Sequence, residues 1–382
     1  MGCLISTMDD KESKNSRWSK LHTDLLVLVL KKLCFQDIIR FKAVCSSWNK
    51  AAQSYISSPS YSLHQAPCLM RQTHHKDGSF PHTLFSFTEK KIYILRDDIT
   101  RVDSESCIGS SHGWMMILRK SNIPVVVKNP FSLQRFKLPT VENLQITLYI
   151  DTAILLSDPF RSKNSNLSVV VVLYGGYKRL AFCNVAGEAW TQFFEARNGD
   201  EIVKSIQSHN GQLYVLSRDF CVQVWDFNHD PFPTKTRNLK PSPLLFIGHY
   251  PAYKYIRLAY LIESMGELLV VLRIVYYKLN HTKTVNFHVI KLDFKGEKWE
   301  KVENLQGRAL LVGCPSISVS IKEFPEFEDN SIYFLDDNYN LSIGDMGVYN
   351  MGNKSIKPFD ELDKLQETTS PKPSFWIVPN PW

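Results

Sequence analysis

Residues 266–299 read GELLVVLRIVYYKLNHTKTVNFHVIKLDFKGEKW. A glycine opens an apolar, β-branched run, a polar turn follows, a second apolar run ends in Leu292-Asp293-Phe294, and Trp299 stands just beyond. Short apolar runs set between turn residues are the mark of strands. The unit recurs as Gly113-Trp114 running to Asn129-Pro130-Phe131, and as Gly211-Gln212-Leu213-Tyr214 running to Trp225-Asp226-Phe227. It returns more loosely as Asn330-Ser331-Ile332-Tyr333 running to Val348-Tyr349-Asn350, and residues 169–190 read as a further copy. Gly113 and Gly211 stand 98 residues apart, two units of 49, and Gly211 and Gly266 stand 55 apart. That period fits four-stranded propeller blades with some long loops. Strands at 83–87 and 91–95 begin or complete another unit, and almost nothing beyond residue 80 has a long helical period. The reading is an all-β propeller over 81–382 with six blades, seven being the alternative count. A β-sandwich or irregular β domain is the competing architecture, and repetition of one unit weighs against it.

Upstream the texture is helical. Residues 18–56 read WSKLHTDLLVLVLKKLCFQDIIRFKAVCSSWNKAAQSYI. Leu26, Val29, Leu30 and Leu33 fall at the spacing of one apolar helical stripe. Leu25 and Leu28 lie off that stripe, and Ile38, Ile39, Phe41, Val44, Cys45 and Trp48 add further apolar surface. A unit of about 40 residues cannot bury all of it alone. The surplus implies a partner surface, either the rest of the chain or another protein. The spacing predicts helices at 23–33, 36–42 and 44–57, with Ser57-Ser58-Pro59-Ser60 ending the third. Residues 1–17 are polar and are expected to be disordered, and 58–80 read as a connector.

Leu21, Asp24, Leu25, Leu26, Val29, Leu30, Leu33, Asp37, Ile38, Arg40, Val44, Cys45 and Trp48 resemble the F-box pattern without a gap. F-box proteins use three such helices to dock on the Skp1 adaptor of a cullin-based ubiquitin ligase. The resemblance therefore implies a small all-α F-box over 18–57, with adaptor-binding residues among Leu21, Leu25, Leu30, Leu33, Val44, Cys45 and Trp48, partly facing the adaptor and partly one another. One departure stands out: His22 occupies the place where the family usually has proline, so Thr23 or Asp24 is expected to cap the helix. Downstream, Ser110-Ser111-His112-Gly113-Trp114, Asn129-Pro130-Phe131, Ser157-Asp158-Pro159, Gly307-Arg308-Ala309-Leu310, Asp345-Met346-Gly347-Val348-Tyr349 and Pro379-Asn380-Pro381-Trp382 resemble the plant F-box family with the KIB-type β-propeller. That family implies a non-catalytic substrate receptor of an SCF-type ligase, in the cytoplasm or nucleus. The F-box holds the adaptor and through it the cullin, and the propeller holds a target protein the resemblance does not identify. The alternative is a propeller interaction scaffold with a degenerate F-box and no ligase role, a reading kept open by His22.

The remaining features exclude more than they add. The net charge of +7 is spread thinly, with no block of five or six Lys/Arg, which gives nucleic-acid binding no support. Eight cysteines, at 3, 34, 45, 68, 107, 183, 221 and 314, form no C-x-x-C pair, the pattern of a reducing compartment. His64, Cys68, His74, His75 and His82 match no structural-zinc spacing, so neither metal nor cofactor is expected. No P-loop, G-x-G-x-x-G, H-E-x-x-H or G-x-S-x-G occurs. Asp97-Asp98 and Asp336-Asp337 read as turns, and Arg308 either faces a ligand or closes a turn. Met1-Gly2-Cys3-Leu4-Ile5-Ser6 fits an N-myristoylation pattern with a palmitoylation site beside it, so Gly2 and Cys3 are candidate lipidation sites and the only route to a membrane.

Overall fold

The structure is a computed structural model that describes residues 17–33, 35–56, 65–72, 82–95, 105–119, 124–132, 134–144, 150–159, 168–185, 187–228, 232–240, 250–278, 281–293, 298–335, 345–359 and 374–380. Gly2, Cys3, His64, His74, His75, Asp97-Asp98 and Asp336-Asp337 lie outside them. The chain divides into two compact units, Met1–Gln65 with Pro381–Trp382, and Ala66–Asn380.

The first unit holds α1 (Thr23–Leu30), α2 (Phe35–Lys42) and α3 (Ser46–Ile56). His22, not Thr23 or Asp24, caps α1: its backbone is extended and its Nδ1 accepts the Asp24 N–H at 3.4 Å. An imidazole thus does by hydrogen bonding what proline does by restricting φ. The helix stops at Leu30, short of the expected Leu33, because the next turn tightens: Lys32 N–H donates to Val29 O and Leu33 N–H to Leu30 O. Likewise α3 starts at Ser46, since Val44 N–H still donates to Phe41 O and Cys45 O takes the first bond of α3 from Asn49 N–H. Leu26, Leu30, Ile38, Phe41, Ala51 and Ala52 form the core, with Leu21, Leu33, Trp48 and Tyr55 packed around it.

The second unit is a propeller of six sheets. Blade one contains β1 (Cys68–Gln72), β2 (His82–Ser86) and β3 (Lys91–Leu95). Blade two is β4 (Glu105–Ser111), β5 (Trp114–Arg119), β6 (Pro124–Lys128) and β7 (Arg135–Thr140). Blade three is β8 (Ile150–Leu155), β9 (Val169–Tyr174), β10 (Arg179–Asn184) and β11 (Thr191–Glu195). Blade four is β12 (Val203–His209), β13 (Gln212–Ser217), β14 (Val222–Asp226) and β15 (Thr234–Leu239). Blade five is β16 (Tyr255–Ser264), β17 (Glu267–Lys278), β18 (His281–Asp293) and β19 (Lys298–Val302). Blade six departs from the meander: β20 (Arg308–Val312) lies between β21 (Ile317–Ser320) and a parallel β22 (Ser331–Phe334), followed by β23 (Gly347–Asn350) and β24 (Ile356–Pro358). The last strand, β25 (Ser374–Ile377), pairs with β1 and completes blade one, so the ring is closed by the two ends of the propeller sequence. The stretch expected as a connector over 58–80 therefore contains a blade strand, β1, whose partner lies about 300 residues away in sequence.

The recurring glycine has a physical origin. His112-Gly113, Asn210-Gly211 and Met265-Gly266 each form the two-residue turn between the first two strands of a blade, with positive φ at both positions. That turn matches strand twist only with both residues left-handed, which is why glycine takes the second place. The continuous apolar runs follow from burial on both sheet faces. On β17, Leu268, Val270 and Leu272 pack toward blade four while Leu269 and Val271 pack toward blade six.

The family landmarks at the C-terminus form a clasp. Asn380 Nδ2 donates to His112 O at 3.0 Å and to Asp158 Oδ2 at 3.2 Å, and Asn380 O accepts from Asn129 Nδ2 at 2.8 Å. Asp158 Oδ1 also takes the Trp114 indole N–H at 3.3 Å. Asn380→Ala deletes two of these bonds and leaves part-buried acceptors behind. The expected cost is about 2 kcal/mol in chemical denaturation, with Asn380→Asp recovering little because it lacks the donor. A cost below about 0.5 kcal/mol would mean that the clasp does not hold the ring.

Candidate functional site

Two places offer chemistry: the outer side of the helical unit, and the axis of the propeller. On α1, Leu25 (50% exposed), Leu28 (59%) and Val29 (44%) point to solvent, three positions at i, i+3 and i+4 on one side of the helix. Val44, in the turn before α3, is 55% exposed, and Ile39 and Trp18 are exposed as well. The apolar stripe is thus narrower than the periodicity suggests: Leu26 and Leu30 face the core, and Val29 joins Leu25 and Leu28 outside.

The seven expected adaptor residues separate into classes. Only Leu25 and Val44 are exposed; Leu30 is in the core, and Leu21 and Leu33 are half-buried against it. Trp48 is a structural group: its indole N–H donates to Trp18 O at 3.0 Å and its ring lies 4.4 Å from that of Phe41. Cys45 stands half-buried just before α3, its Sγ 3.0 Å from Ser47 Oγ. Hydrogen bonds from the Ser47 hydroxyl and the Trp48 N–H hold its thiol below the ordinary range. Leu28 and Ile39, which the sequence places in the apolar surplus but not among the seven adaptor residues, are exposed as well.

On the propeller axis the inner strands of blades one to five and the β20–β21 turn of blade six surround a cavity of about 360 Å³. Its lining includes Ile108, Thr152, Ile206, Leu258, Cys314 and Phe375. Cys314 of blade six reaches across to blade three, its Sγ 2.7 Å from Thr152 Oγ1. Burial pushes the thiol of Cys107, also in the lining, well above its ordinary range, so it stays a neutral thiol. At the mouth, Asp151, Tyr177, Lys204 and Arg257 replace the apolar wall. These positions escape sequence reasoning because only the inward side of each inner strand lines the axis, and that phase is set by blade packing.

Arg308 closes a turn and spends its donors on protein groups. It is buried, with Nε donating to Leu305 O at 2.6 Å and Nη1 to Ser264 Oγ and Glu267 Oε2, each at 3.0 Å. Burial alone would raise the Glu267 carboxyl, but the bonds from Lys291 and Arg308 hold it below its usual range. Among the described residues no group of three or more His, Cys, Asp or Glu is placed to hold a metal ion, and no helix is long and apolar enough to cross a membrane. The described cysteines are free thiols.

Comparison with known proteins agrees with this architecture. Residues 18–57 match the F-box domain and residues 84–350 match the KIB1-4 β-propeller. The chain is 28% identical to the F-box/kelch-repeat protein KIB1 of Arabidopsis thaliana, over 91% of this chain and 86% of that protein. It is 23% identical to the F-box only protein 7 of the same plant, over 82% of this chain and 84% of the relative. Among solved structures it is similar to the N-terminal domain of Nup159, at 11% identity and a TM-score of 0.35, covering 81% of this chain and 89% of that one.

Proposed function

The chain belongs to the F-box proteins that carry a KIB1-4 β-propeller, and from that membership we propose that it is the substrate-recognition subunit of an SCF-type ubiquitin ligase. The F-box docks on a Skp1-type adaptor, which joins it to the cullin, and the propeller holds the target protein. The observation that carries this reading is the row of Leu25, Leu28 and Val29 left uncovered on a three-helix unit whose core is already filled by other residues. Of the seven expected adaptor residues, Leu25 and Val44 meet the adaptor directly. Leu21, Leu30, Leu33, Cys45 and Trp48 keep the helices in place to present them.

The chain's contribution to ubiquitin transfer is positional. It raises the effective concentration of the target at a ubiquitin-charged enzyme recruited through the cullin, and proximity alone lowers the barrier by several kcal/mol, roughly 7–11 at the upper end. The scaffold reading rests on His22, and the bond by which His22 caps α1 supports an intact helix start in its place.

The test is reconstitution. Full-length chain mixed with purified Skp1-type adaptor is expected to co-elute on size-exclusion chromatography as a one-to-one complex. A folded chain that elutes apart from the adaptor overturns the ligase reading in favour of the scaffold.

A further inference from the structure

At the end of the propeller where the inner strands begin, blades three, four and five present six exposed cations. They are Lys178 in the β9–β10 turn, Arg197 and Lys204 at the start of blade four, Arg218 in the β13–β14 turn, and Lys254 and Arg257 at the start of blade five. Backbone bonds tie these turns together: Ala196 N–H donates to Lys178 O at 2.8 Å, Val203 N–H to Tyr177 O at 2.9 Å, and Arg218 N–H to Ile202 O at 2.8 Å. Lys204 and Arg257 also line the mouth of the axial cavity. Burial, and then the charge of Arg218 beside it, draw the Lys204 ammonium below its ordinary range.

What is unusual is where the neighbouring acids are engaged. Asp151 Oδ2 accepts the Tyr177 N–H at 2.8 Å, Glu201 Oε2 accepts the Arg197 N–H at 2.9 Å, and Asp219 Oδ1 accepts from Ser217 Oγ and, at 3.1 Å, from the Cys221 N–H. These carboxylates shape their own turns. Of the acids in these turns, only Asp200 has no such bond among the described residues. None of the six cations makes an ion pair with a described carboxylate; Arg257 instead gives one N–H to Tyr250 O at 2.8 Å. Lys254 lies over the Tyr253 ring, 5.5 Å from its centre. The six cations outnumber the four carboxylates Asp151, Asp200, Glu201 and Asp219 of these turns, so the surface keeps a positive excess that an anion docking there offsets. The arrangement spans three blades, a width that fits an extended chain better than a single small ion.

We propose that this mouth is where the target docks, and that the target presents an acidic peptide segment to Lys204, Arg218 and Arg257. The proposal rests on the receptor reading for the existence of a target, but its chemistry is testable without the adaptor. The probe is fluorescein-labelled octaglutamate, titrated with the full-length chain at low salt and followed by fluorescence anisotropy. Wild type is expected to bind it. Lys204→Glu/Arg218→Glu is expected to weaken binding by about tenfold or more. Lys91→Glu/Lys298→Glu, on the outer strands β3 and β19, makes the same change in net charge and is expected to shift binding by less than about twofold. Arg218→Gln, a single change in an exposed turn, keeps the test open should the charge-reversed pair fail to fold; a loss of about threefold is expected. No binding by wild type, equal weakening by the two double variants, or no loss with Arg218→Gln each overturns the proposal. Adaptor co-elution on the same preparations is a separate arm: its failure removes the ligase reading and leaves the peptide result standing.

Discussion

Leu25→Asp/Val44→Asp is expected to abolish capture of a Skp1-type adaptor while leaving the thermal unfolding of the helices unchanged. Both side chains are at least half exposed and belong to no core cluster, so aspartate at either position meets water in the free protein. In a docked complex the change is severe. Each apolar side chain buried at an interface contributes about 1.5–3 kcal/mol. A carboxylate put in its place must be desolvated without a partner, which adds a cost of its own. A combined loss of about 4 kcal/mol or more corresponds to roughly a thousandfold in Kd. The checks are titration of immobilised chain with adaptor and a melt followed at 222 nm. Trp48→Ala makes the contrast, because it removes the bond to Trp18 O and the packing on Phe41 and so lowers the melt as well as the capture. Adaptor affinity within tenfold of wild type in the double aspartate variant, with the melt unchanged, would sink the docking assignment.

Asp345→Ala is expected to be the most damaging single change to the propeller. Arg273, on β17, is 0% exposed, and its charge is satisfied from several sides. Nε donates to Thr284 Oγ1 and Nη1 to Leu335 O, both at 2.7 Å, and the guanidinium lies 4.7 Å from the centre of the Phe334 ring. Asp345 completes the set: its carboxylate takes the Arg273 Nη2 together with the Thr284 N–H and hydroxyl. Removing it leaves a cation in the interior with no counter-ion, which typically costs about 3–5 kcal/mol. For a domain of this size that lowers the melting temperature by on the order of 10 °C. Arg273→Met/Asp345→Leu takes away both charges and puts apolar side chains in their place, so it is expected to cost less than Asp345→Ala alone. Equilibrium denaturation of the three proteins decides it. A loss of less than about 1 kcal/mol in Asp345→Ala would mean that water or another group reaches Arg273.

The landmarks from which the family resemblance was drawn acquire reasons in the structure. Asn129, Asp158 and Asn380 are separated by up to 251 residues yet share one hydrogen-bond cluster. Asp345 opens one of these landmarks, and its carboxylate takes a bond from Arg273, 72 residues upstream. Arg308, open between ligand and turn as a sequence feature, is settled by Glu267 and Ser264 across the blade interface. In each case the partner is distant along the chain, so no window of sequence contains the explanation.

Three helices and a set of repeated sheets follow from the sequence by itself, because helix period, strand period and the left-handed turn at His112-Gly113, Asn210-Gly211 and Met265-Gly266 are local properties. Tertiary structure alone decided that Val29 faces out with Leu25 and Leu28, that β25 closes blade one, that blade six carries a parallel pair, and that Lys204 and Arg257 line the same cavity. Each of these depends on which surfaces bury one another, and that is a property of contacts between residues far apart in the chain.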